Sequence, residues 1–236
     1  MINEDYRTVQ RIVQARRTAK FLAPPGRPAQ WPADRLARIV RTVDQALRDS
    51  GQAPFHYARN AQGIAEPWRM YRIDHGSCCR MAADLPRLVP DLKPGNKLAG
   101  LLAGCACLCL FNWLPEPPDP DGSRDEKRQR VNREHLAATA AAVQNFLLLC
   151  TAAELPTYWA SGTLIQKHLF PGLGIGGGKA DEELLAAVFV HGPGAGSGNS
   201  HVQQVGGKQR DKRDPECRWL QTAGYAGPAT ANEAAG

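Results

Sequence analysis

The stretch Ala15-Arg16-Arg17-Thr18-Ala19-Lys20 places three cations and a hydroxyl side by side, and Phe21-Leu22-Ala23-Pro24-Pro25 follows it directly. Such a set can hold a phosphate through side chains alone. A guanidinium presents a planar fork that matches phosphate oxygens, and the Thr18 hydroxyl adds one further donor. Lys20 lies two residues beyond Thr18, so in an extended segment it shares a face with Thr18 and Arg16, and one bound anion could be reached by all three. The competing reading is a solvated helix end, where cations meet the negative pole of the helix dipole.

Other stretches have the composition of a reactive motif without its context. Gly172 to Gly177, GLGIGG, matches the glycine spacing of a dinucleotide turn, but LIQKHLFP before it reads as a helix end and a loop where a strand is required. GGGKA lacks the hydroxyl residue after its lysine that a phosphate loop needs. His75 with Cys78 and Cys79 offers metal-binding side chains with no second ligand pair at a usable spacing, so no metal is expected. Ser161-Gly162 lacks the GxSxG elbow of a serine hydrolase. Of the seven cysteines, Cys105, Cys107 and Cys109 alternate along an apolar run, so a strand would point all three thiols to one face, and no CxxC pair occurs. They read as reduced, mostly buried thiols of an intracellular protein.

These residues need elements to position them. Asn3 can cap a helix over residues 3 to 17 with Tyr6, Val9, Ile12 and Val13 on one face. A second helix follows Pro32, with Leu36, Ile39, Val40, Val43 and Leu47 at helical spacing until Gly51. APFHYARNAQGIAEPW is a polar loop leading into a strand at WRMYRI, a helix is expected around Arg80 to Leu88, and LAGCACLCLF reads as a strand buried on both faces. Residues 115–130 read as an exposed excursion, Leu136 to Ala153 as a long central helix, PTYWASG as a strand ending in a tight turn, and LLAAVFV as the last apolar strand. Little regular structure is expected after Gly192, and residues 221–236 read as a flexible tail of a single domain over 1–220. Irregularly interleaved helices and strands imply an α+β fold, with helices covering a mixed or antiparallel sheet and the long helix buried at its centre.

Composition narrows the classes further. With 236 residues and 43% hydrophobic content the chain can bury a substantial core, which excludes an intrinsically disordered protein. Its net charge of +6 is spread over 29 basic and 23 acidic residues without a long basic block, so a small anionic ligand is expected and nucleic acid is not. The alanine-rich segment carries Gln144 and Asn145 near its middle, which argues against a membrane span. MINEDYRTVQ lacks the basic-then-apolar layout of a signal peptide, so a cytoplasmic location is expected.

Taken in order, ARRTAKFL after a first helix, AP closing the second, EPWRMYRI, REHLAATAAAVQNFLLLCTAAELPTYWASG, an apolar strand and a basic C-terminal segment resemble the nitroreductase family of FMN-dependent oxidoreductases, over roughly Asp5 to Trp219. The resemblance implies a homodimer with FMN at the interface. It implies that Arg16 and Thr18, with Arg17 beside them, hold the FMN phosphate or ribityl chain. Lys20 would face the pyrimidine end of the flavin, as would Lys97 with Asn96 nearby. Ser161 and Gly162 would approach the N5 edge, and a basic set among Lys208, Arg210, Lys212 and Arg213 would complete the phosphate site.

The chemistry so implied runs from NADH or NADPH through flavin N5 to a nitroaromatic, quinone or similar small electrophile in a ping-pong cycle. It demands no protein acid, base or nucleophile, so no catalytic side chain is expected. Lys20 would contribute through its charge, because reduced flavin is negative near N1 and O2. Phe55, His56 and Tyr57 would wall the substrate site, on a loop that is longer than the family's and carries Glu66 where the family has glutamine. The same resemblance leaves open flavin destruction, reductive dehalogenation, or a non-catalytic flavin-binding or interaction protein.

Overall fold

A computed structural model describes residues 3–93, 95–118, 125–176, 182–194, 201–205, 218, 220 and 221. In chain order the elements are α1 (Glu4–Ala15), β1 (Lys20–Leu22), α2 (Ala33–Ser50), β2 (Trp68–Asp74), α3 (His75–Leu88), α4 (Leu98–Gly104), β3 (Cys107–Trp113), α5 (Glu126–Ala152), β4 (Thr157–Ala160), α6 (Thr163–His168), α7 (Phe170–Leu173), β5 (Glu183–Val190) and β6 (Gln203–Val205). Four strands form an antiparallel sheet in the order β2-β3-β5-β4, while β1 and β6 make a separate antiparallel pair. The fold is α+β.

Strand alternation divides the core. On one face of the sheet Leu108, Leu110 and Phe189 pack with Leu85 of α3, Leu102 of α4 and Ile165 of α6. On the other, Cys107, Cys109 and Phe111 pack with Val43 of α2 and with Val143, Phe146 and Cys150 of α5. Phe111 and Phe146, both without exposed surface, meet at 5.3 Å in a tilted pair. Burying side chains of this size is worth about 1.5–3 kcal/mol each.

The amphipathic α2 lies between Pro32 and Gly51 as its periodicity demands, and Arg72 Nε of β2 ties it to the sheet through Asp44 Oδ1 at 2.6 Å. Asn3 caps α1, its Oδ1 accepting the Tyr6 N–H at 2.9 Å. Several boundaries differ from expectation. α1 stops at Ala15, since Arg16 turns into extended backbone (φ −55°, ψ 124°). α3 opens at His75, because the Asp74 carboxylate accepts from Ser77 N at 2.8 Å and from Ser77 Oγ at 2.7 Å, which also holds Asp74 below the usual carboxylate range.

The expected strand LAGCACLCLF is split. Leu102 to Gly104 close the short helix α4, and the strand begins only at Cys107. The three thiols therefore do not share a face. Cys107 and Cys109 lie on the α5 side of the sheet and Cys105 on the other. The six described cysteines are free, and all but Cys79 are buried.

Of the excursion expected over residues 115–130, residues 119–124 lie outside the described residues. Pro115 is buried, and α5 already begins at Glu126, with the Asp125 side chain capping Arg128 N. β6 is regular structure where little was expected, and the tail beyond Gln221 lies outside the described residues. α5 is long and apolar enough to cross a membrane by length and composition, with mean hydropathy 1.3 in its most apolar window. It packs on the sheet through Ala142, Val143, Phe146, Leu147 and Cys150, while Leu136 on its other side is 37% exposed.

Polar groups inside the sheet layers are partnered selectively. Tyr71 of β2 donates its hydroxyl to the Glu182 carboxylate at 2.9 Å, and Asn112 Nδ2 donates to the same carboxylate at 2.8 Å. Burial first, then the bond to Glu182, pushes the Tyr71 hydroxyl up to about 12. A phenol whose pKa is higher folded than unfolded stabilises the fold fully below pH 10, and this contribution is lost as pH rises from about 10 toward 12. Urea unfolding midpoints should therefore fall more steeply above pH 10 for the natural chain than for Tyr71→Phe; parallel pH profiles would remove Tyr71 as the source.

Candidate functional site

Beyond Arg16 the chain stays extended along the edge strand β4. Thr18 forms a parallel bridge with Thr157, and Ala19 N–H donates to the Thr157 carbonyl at 2.9 Å. Because alternate residues of an extended segment point to opposite sides, Arg16 and Thr18 face the same way and Arg17 faces outward. Arg16 and Thr18 line a cleft of about 730 Å³ with Ser161, Gln144, Tyr158 and Trp159. Apolar surface comes from Val13, Leu147 and Leu185. That volume lies within the range of roughly 300–1,000 Å³ typical of small-molecule sites.

Among the described residues lining the cleft none is acidic, and Arg16 brings a permanent cation. Arg17 has another task. Its guanidinium donates to the carbonyls of Gln14 and, at 3.1 Å, of Arg16, so it closes the C-terminus of α1 instead of reaching the cleft. The helix-end reading of the basic run thus describes Arg17, while Arg16 lines the cleft.

Lys20 is one layer removed. Its Nζ stands 4.3 Å from the centroid of the Tyr158 ring, whose stacked partner is Phe189 at 6.1 Å. Gly162, just past β4, has φ +74°, a left-handed backbone suited to glycine, and a Cβ there would come within 2.5 Å of Leu184 Cδ2. Its role is to turn the chain from β4 into α6, which leaves Ser161 on the cleft wall.

The remaining candidates are not gathered here. Asn96 and Lys97 are exposed at the start of α4, where Asn96 Oδ1 accepts from Leu98 N at 2.8 Å, and neither lines the cleft. Phe55, His56 and Tyr57 precede β2, at the opposite edge of the sheet from β4. Phe55 packs edge-on against Trp68 at 5.6 Å, and the Tyr57 carbonyl lies 3.1 Å from Nε2 of the buried His135 of α5. Lys208, Arg210, Lys212 and Arg213 lie outside the described residues.

Trp159, Tyr158 and Gln144 were missed as site residues. The alternation of PTYWASG as an edge strand would have shown that its aromatics project on both sides of the sheet margin. Gln144 was read only as a polar interruption of α5.

No family model and no curated protein matches the chain. Solved structures do match over nearly the whole length. A nitroreductase-like family protein from Bacillus cereus is 16% identical, with 91% of this chain and 95% of that one covered at a TM-score of 0.56. A structure described as a nitroreductase in complex with FMN, from Desulfovibrio desulfuricans, is 19% identical over 92% and 97% of the two chains, with a TM-score of 0.52. A third, described as an NADH dehydrogenase/NAD(P)H nitroreductase from Bacteroides thetaiotaomicron, is 14% identical over 92% and 98%, with a TM-score of 0.51.

Proposed function

We propose that this chain, which has the nitroreductase-like fold, is an FMN-dependent oxidoreductase that draws on NADH or NADPH and reduces a small electrophilic acceptor such as a nitroaromatic or quinone. The observation that carries the reading is the convergence of Arg16, Thr18 and Ser161 on one cleft, with the apolar surface of Val13, Leu147 and Leu185 beside them. That donor set fits an anionic cofactor, and the apolar side of the cleft fits a ring system. Arg16 would grip the phosphate with Thr18 adding a hydroxyl donor, and Ser161 would approach the ring edge. Bound there, FMN would supply the two-electron carrier for the reaction.

Lys20 acts through its field. Its charge stands behind Tyr158, a wall of the cleft, and favours negative charge developing on the cofactor side of that ring. Tyr158, Trp159 and Leu147 line the cleft, and a ligand seated against them would displace water and strengthen that field.

We further infer a homodimer, cytoplasmic in location. Tyr6, Val9 and Val13 of α1 are 53%, 57% and 47% exposed, and no residue of α1 is buried, although the helix is amphipathic. A second copy would cover that face and could bring Phe55, His56 and Tyr57, remote from the cleft of their own chain, to the site of its partner.

The first test is the absorbance spectrum of the purified protein, before and after addition of FMN and desalting. Retained flavin bands near one per chain support the reading, and oxidation of NADH or NADPH with a quinone acceptor then tests the reaction. A colourless protein that refuses FMN would falsify it.

A further inference from the structure

The two aromatic side chains on the cleft differ in what already covers them. Tyr158 already has two partners, Phe189 stacked at 6.1 Å and the Lys20 ammonium 4.3 Å from its centroid. Trp159 points to the other side of β4, the side of its strand partner Val188 and of α5, and is 39% exposed. Among the described residues no aromatic ring or cation packs against its indole. A tryptophan is normally buried over most of its surface, and one left open inside a cleft is an aromatic platform without its cover.

Its neighbours specify the shape of that cover. Val13, Leu147 and Leu185 extend the apolar surface around the indole, whereas Arg16 and Thr18 supply cation and hydroxyl in the same cleft. A ligand matched to both has a planar aromatic ring joined to an anionic group. We propose that Trp159 is a stacking partner of the ring of the bound cofactor, a binding residue additional to the phosphate grip; this rests on the FMN reading above and deepens it. The indole, the most electron-rich side chain, also places a donor against an electron-poor ring.

The test uses the full chain titrated with FMN, following both flavin and tryptophan emission. In the natural protein flavin emission is expected to be strongly quenched on binding, because an indole stacked on an excited flavin transfers an electron to it. Trp159→Leu should bind FMN about three- to tenfold more weakly and recover flavin emission several-fold. Trp159→Phe keeps a ring but loses the electron donor, so it should retain most of the affinity while the emission still rises. A merely structural role would not separate these two readouts.

The failures are distinguishable. If the natural protein does not bind FMN, both the cofactor reading and the stacking role fall. If it binds FMN and Trp159→Leu binds it with the same affinity and the same quenched emission, the cofactor reading stands and the stacking role is overturned. A shift in dimerisation with unchanged flavin signals would assign Trp159 to a second copy of the chain and overturn the proposal likewise.

Discussion

Replacing Arg16 by alanine is expected to weaken FMN binding by about ten- to a hundredfold, while Arg17→Ala leaves it within about twofold. Hydrogen bonds to charged groups are worth roughly 1.5–3 kcal/mol, and every 1.4 kcal/mol is a factor of about ten in affinity. Arg16 lines the cleft. Arg17, adjacent and chemically identical, is turned onto the carbonyls of Gln14 and Arg16 at the end of α1. Its loss should cost a few tenths of a kcal/mol of helix stability instead, as expected for a cation at a helix C-terminus. Isothermal titration of both variants with FMN decides the matter, and equal losses would mean that the run acts as an undifferentiated positive patch.

The largest stability effect is expected at Gly104, the last residue of α4. A Cβ there would stand 2.6 Å from the Phe21 carbonyl oxygen, 3.1 Å from its carbon and 3.2 Å from Ala23 N, all of them backbone atoms of β1 and the residue after it. No rotamer can relieve such a contact. The Gly104 carbonyl is also occupied, lying 3.1 Å from Nδ1 of the fully buried His191, whose imidazole is pushed down to about 4 by burial and so stays neutral around pH 7. With both sides fixed, Gly104→Ala should cost about 3 kcal/mol, which for a chain of this size lowers Tm by roughly 6–12 °C. Gly100→Ala, one turn earlier, meets nothing closer than 3.4 Å and should be close to neutral by the same thermal melt. A similar drop for both glycines would show that α4 tolerates no added methyl anywhere, and would detach the effect from the contact with β1.

Legibility in the sequence followed the strength of local signals. α2 could be placed because five apolar residues recur at helical spacing between a proline and a glycine, and β2 and β5 because their apolar runs are bounded by turn formers. α4 was lost inside LAGLLAG, where every residue is apolar or glycine and no polar face remains to reveal a period. The short β6 has no periodicity of its own and exists because β1 offers an edge.

For the site, residue type indicated Arg16 and Thr18, but only the extended backbone beyond Ala15 separates Arg16 from Arg17. Lys97 and Asn96 were inferred by resemblance, and no local pattern showed that Asn96 supplies an acceptor for α4. The placement of Phe55 to Tyr57 across the sheet from the cleft is a consequence of strand order, which no local pattern encodes.

The pairing of β1 with β6 bears on how the cleft comes into being. Lys20, Phe21 and Leu22 lie opposite Val205, Gln204 and Gln203, so the segment that follows Thr18 is held by residues from the far end of the chain. Closing so long a loop is entropically costly and contributes nothing until the core that brings the ends together has formed. On the ribosome, then, Arg16 and Thr18 emerge first and acquire their setting last. A nascent chain would be folded around its sheet before the cleft could hold a ligand, so binding there waits until β6 has been made.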